Sequence, residues 1–120
     1  MNTISEKLVQ QEVSKCLLGM GIYPNVIGFT NLINSVIAVV EMGNNGPSIC
    51  EAYKQAGRKI NKSAASVERS IRALISKCAN GNSLARLNDY FGYPVVQDYP
   101  ISAGELVCLL ATKIIYEILP

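Results

Sequence analysis

Residues 54–79, KQAGRKINKSAASVERSIRALISKCA, decide how this chain is read. Val67, Ile71, Leu74, Ile75 and Cys78 recur three and four residues apart, the spacing that lines one face of an α-helix. Ser63 stands where an N-cap hydroxyl is needed and Asn80-Gly81-Asn82 supplies a stop, so a helix is expected over 63–79. A second helix, over about 48–59, should precede it across the short polar connection Ile60-Asn61-Lys62. Two helices joined by such a turn, with small residues where they approach, make a helix-turn-helix. Ala56 and Gly57 offer that approach. Glycine inside a helix costs about 1 kcal/mol against alanine, so Gly57 points to close packing against the next helix, with simple helix weakness as the alternative.

Outward from this pair, the rest of the chain also reads as helix. Val9, Val13, Cys16, Leu17 and Met20 mark a first helix over about 4–20, ended by Gly19, Gly21 and Tyr23-Pro24. Leu32, Ile33, Val36, Ile37, Val39 and Val40 form a broad apolar face, expected of a buried central helix capped by Thr30 or Asn31. GNNGP at 43–47 is the clearest break, with Pro47 placed for the first turn of the next helix. A short helix over 83–91 leads into the loop GYPVVQDYP, where Val95 and Val96 can form a brief extended stretch. Ser102 with Glu105 three residues on is a capping box opening a last helix that runs nearly to Pro120. The expected fold is all-α: one compact bundle of about six helices over residues 1–120.

At 120 residues and 49% apolar side chains, the chain can bury one core and is too short for two ordinary domains. No apolar run reaches the roughly 18 residues of a membrane span, and the charged start does not suit a signal peptide, so a cytoplasmic protein without membrane association is expected. Cys16, Cys50, Cys78 and Cys108 form no CxxC pair and the chain has no histidine. Reduced cysteines serving as small core hydrophobes are therefore expected, with no metal site and no cofactor. Without histidine, paired carboxylates or a phosphate-cradling glycine loop, an enzyme is not expected either.

The net charge of +2 hides an uneven distribution. Residues 54–86 hold eight basic side chains against the single acid Glu68, a local charge of +7, whereas both flanks are net acidic. Such a patch draws phosphates by counterion release; its alternative is an ordinary solvated basic helix pair. With residues 67, 71, 74, 75 and 78 facing inward, Glu68, Arg69, Arg72 and Ser76 face out. Arginine can grip guanine O6 and N7 with two hydrogen bonds, and a carboxylate can accept from cytosine N4, so Glu68, Arg69 and Arg72 are candidates to read DNA bases. The alternative is a surface pair, Glu68 to Arg72 at i,i+4, worth about 0.2–0.5 kcal/mol. Arg58, Lys59 and Lys62, with Ser63 and Ser66 at the helix N-terminus, are candidates for phosphate contact; capping alone is the other role for the serines.

SAASVERSIRALI at 63–75, NGNSLARLNDYFGYPV at 80–95 and GMGIYPNVIGF at 19–29, in that order, resemble the C-terminal effector domain of the stage-zero sporulation response regulator, over nearly the whole chain. The resemblance implies a six-helix fold whose helix-turn-helix binds double-stranded DNA at a short box close to TGTCGAA, often as tandem copies, and communicates with the housekeeping sigma factor of RNA polymerase. It assigns base reading to Glu68, Arg69 and Arg72. Ser66 replaces the family's usual basic residue, Ala73 a polar one, and the recognition helix is one residue shorter before Asn80, departures that bear on affinity and box preference. From Met1 the chain enters its first helix at once, so a phospho-accepting receiver domain is not expected within it. A homodimer on DNA is among the expected partner interactions. The competing expectation is a protein-interaction module that keeps the fold without binding DNA and pairs with itself or another regulator through its last helix, around Leu106, Leu110 and Ile114.

Overall fold

The computed structural model describes residues 3–43, 48–79, 85–95 and 101–119. Its elements are α1 (Thr3–Gly19), α2 (Phe29–Met42), α3 (Ile49–Ile60), α4 (Ala64–Ala79), α5 (Arg86–Phe91) and α6 (Ala103–Lys113), the last running on into one wider π-helical turn at Ile114–Ile118. No strand occurs among the described residues, so the all-α bundle of six helices expected from periodicity is the observed architecture.

The core is built around α2. Leu32, Val36 and Ile37 are essentially inaccessible, and α2 packs against α1, α3, α4 and α6. Each neighbour brings the face that its spacing marked as apolar: Val9, Val13 and Leu17 from α1, Val67, Ile71 and Leu74 from α4. Fully burying one such side chain contributes about 1.5–3 kcal/mol, which is why these stripes set the helix packing.

The helix ends obey local chemistry. Ser48 caps α3 by accepting from the Glu51 N–H at 3.3 Å; Pro47, the residue before it, lies outside the described residues. Ser102 and Glu105 form the expected capping box, with both reciprocal bonds present at 3.0 and 3.1 Å. α2 departs from expectation. It begins at Phe29, one residue after Gly28 in the left-handed region, so neither Thr30 nor Asn31 is its cap. The Asn31 side chain reaches across to α4 instead.

Three further expectations need correction or delimiting. Leu106, Leu110 and Ile114 are wholly buried inside the bundle, so they cannot be the surface through which two copies pair. The four cysteines are free, but only Cys16 and Cys78 serve the core; Cys50 and Cys108 are exposed on α3 and α6. The 80–82 stop, the first residues of the 83–91 helix and Val96 lie outside the described residues, whereas Val95 is present without strand pairing, its N–H donating to Asn88 Oδ1 at 2.7 Å.

Candidate nucleic-acid interface

Three residues separate α3 from α4, and each has a defined task. Asn61 takes the left-handed conformation (φ 59°, ψ 45°) that ends α3, and its N–H bonds back to the Gly57 carbonyl. The Lys62 N–H reaches the same carbonyl at 2.9 Å. Ser63 then starts α4, its Oγ accepting from the Ser66 N–H at 3.1 Å. Gly57 is buried under this turn, and a methyl built on it would overlap the carbonyl oxygen of Lys62. The close approach read from the glycine is real, but its partner is the turn backbone leading into α4 rather than α4 itself.

α4 turns Val67, Ile71, Leu74, Ile75 and Cys78 inward and leaves Ala65, Arg69, Arg72, Ala73 and Ser76 exposed. Arg69 makes no ion pair or side-chain hydrogen bond among the described residues. Arg72 is gripped by Glu68 in a two-pronged pair, Nε to Oε1 at 2.8 Å and Nη2 to Oε2 at 3.1 Å. Glu68 is half-buried and not fully outward. It lines a cleft of about 460 Å³ together with Tyr53 of α3, Ile75 and the start of α6. The outer face of α4 thus presents one unpaired guanidinium and one held by a carboxylate.

The flanking cations also differ from one another. Arg58 lies 3.6 Å from Glu51, and Lys59 lies 3.9 Å from Glu6 of α1, a partner that spacing within one helix could not reveal. Both pairs are exposed, and such pairs are worth only about 0–1 kcal/mol, so a phosphate can displace either carboxylate at little cost. Lys62 is exposed and has no ion pair among the described residues. Ser63 Oγ and the Ser66 N–H are committed to the cap. Lys54 and Lys77, counted in the basic segment but not singled out, are exposed on α3 and α4 as well.

An all-α bundle that exposes an arginine-bearing helix, joined by a three-residue turn to a second helix within the most basic segment of the chain, is the frame of a helical DNA-binding effector domain. Residues 13–114 match the family model described as sporulation initiation factor Spo0A C terminal, and the chain belongs to that family of DNA-binding response-regulator effector domains, which are regulatory and not enzymatic. Comparison with curated proteins and with solved structures gave no match. Among the described residues no helix is long and apolar enough to cross a membrane.

Proposed function

We propose that the chain is a sequence-specific transcription regulator whose α3 and α4 act as a helix-turn-helix, with α4 in the major groove of double-stranded DNA. The observation that carries this reading is the exposed stripe Arg69, Arg72 and Ser76 on α4, inside a segment of local charge +7, in a member of a DNA-binding family. Arg69 reads a guanine directly, and Arg72 is aimed by Glu68, which can keep one oxygen on the guanidinium and offer the other to a cytosine amino group. Arg58, Lys59 and Lys62 hold phosphates, with Ser63 and Ser66 shaping the helix N-terminus beside them. On this reading residues 1–120 act as one domain in the cytoplasm. Pairing of copies on tandem boxes and contact with the housekeeping sigma factor are the partner interactions that family membership supports.

Anisotropy titrations on a duplex carrying TGTCGAA test the assignment. Arg69→Ala should cost about 1–3 kcal/mol and relax discrimination against altered boxes, while Lys62→Ala should weaken all duplexes alike and reduce the salt slope by about 1. Wild-type behaviour of both variants would refute this interface.

A further inference from the structure

Ser70 is a polar residue on the inner side of α4, only 9% exposed among apolar neighbours. Its hydroxyl donates to the Val67 carbonyl at 2.7 Å and accepts from Asn31 Nδ2 of α2, also at 2.7 Å. The main chain is gripped at the same point: a methyl on Gly28 would overlap the Ser70 carbonyl oxygen and come within 3.2 Å of Leu74 Cβ. The head of α2 therefore holds residue 70 of α4 by both side chain and backbone. The other fully buried side chains of α4 are Val67, Ile71, Leu74, Ile75 and Cys78, with Ala64 packed partly against the same core, and apolar packing carries no direction of its own. Such a face resists separation far better than it resists a small rotation or slide.

From these contacts we infer that Asn31 and Ser70 are a positioning pair that sets the rotation of α4, and through it the aim of Arg69 and Arg72, without touching DNA. The inference rests on the reading of α4 as the base-reading helix. Ser70 neighbours Arg69 directly, so any turn of the helix at residue 70 carries the guanidinium with it. Bidentate base contacts tolerate errors of only about 0.5 Å or 10–20°, whereas phosphate contacts from flexible lysines do not depend on that accuracy. Loss of the pair should therefore damage specificity and spare general affinity.

The test uses the full chain, a TGTCGAA duplex and a scrambled duplex of equal length, titrated at two salt concentrations beside a thermal melt. Asn31→Leu keeps the side chain's size and removes the donor; Ser70→Ala removes the acceptor. Each should lower the ratio of specific to scrambled affinity about 3- to 10-fold, with scrambled affinity and its salt slope unchanged. Ser70→Thr keeps the oxygen and should retain the wild-type ratio, and the double variant Asn31→Leu with Ser70→Ala should be no worse than either single one. A merely structural pair would lower the melting temperature and weaken both duplexes together, which overturns the inference. So does an unchanged ratio in Asn31→Leu and Ser70→Ala while the wild type discriminates, and that result leaves the interface standing. A wild type that does not distinguish the duplexes removes both.

Discussion

Gly28→Ala is expected to destabilise the chain by about 2–5 kcal/mol, read as a lower urea midpoint with an unchanged slope. Two costs combine. Gly28 sits at φ +100°, a conformation that carries a penalty of about 1–2 kcal/mol for a residue with a Cβ. The new methyl would also overlap the Ser70 carbonyl oxygen, a backbone atom held inside α4, and overpacking of this kind costs about 1–3 kcal/mol. No compensating gain exists, because Gly28 stands outside α2 as its cap residue. Gly57→Ala makes the instructive comparison. Its methyl meets the Lys62 carbonyl oxygen just as closely, but Gly57 lies inside α3, where alanine regains about 1 kcal/mol of helix propensity. Gly57→Ala should therefore cost less than Gly28→Ala. A Gly28→Ala midpoint indistinguishable from wild type would show that Gly28 does not meet the Ser70 carbonyl of α4.

The two glycines also mark where sequence reading succeeds and fails. Gly57 was legible because it interrupts a run that is otherwise good helix, so its cost demanded an explanation. Gly28 sits between helices, where glycine is ordinary, and its partner lies more than forty residues away in the sequence. The inner face of α4 was legible from Val67, Ile71, Leu74, Ile75 and Cys78, since periodicity reports which side avoids water. Periodicity does not say what covers that side. Leu106, Leu110 and Ile114 therefore read equally well as a pairing surface and as core, and only the packing of α6 against α2 and α4 decides for core. Asn31 misled for a related reason: a polar residue at a helix boundary is usually a cap, and nothing local reveals that its amide belongs to Ser70. On the outer face of α4, the i,i+4 spacing of Glu68 and Arg72 foretold their pair. The half-burial of Glu68 was hidden, because it depends on Tyr53 and α6 closing over one flank of α4.

Stability should fall steeply as the solution is made alkaline, starting near pH 9 and continuing towards pH 12. Burial pushes the Cys16 thiol from 9.0 up to about 12, with the nearby Cys78 and Glu12 adding to it, and raises Cys78 as well. Burial likewise pushes Tyr53 from 10.0 up to about 12, helped by the negative charge of Glu68, and raises Tyr90, which is further held protonated by its 3.0 Å hydrogen bond to Glu12. Each group binds its proton more tightly in the folded chain than in the unfolded one. The resulting stabilisation is complete below the unfolded values and is lost as pH rises through the folded ones, with one pH unit of difference worth about 1.4 kcal/mol. Urea midpoints measured in reductant from pH 7 to 11.5 should trace that loss; a midpoint constant to pH 11 would contradict it. Two variants separate the tyrosines. Among the described residues the buried Tyr53 hydroxyl has no hydrogen-bond partner, so Tyr53→Phe removes a desolvation cost and should raise stability at pH 7 by about 1 kcal/mol. Tyr90→Phe gives up the bond to Glu12 and should lower it by about the same amount. Both variants should flatten the alkaline fall, since each removes one proton that only the folded chain retains. Opposite signs at neutral pH with the same sign at high pH result from hydrogen bonding and burial acting separately, and a change in packing alone would not produce that pattern.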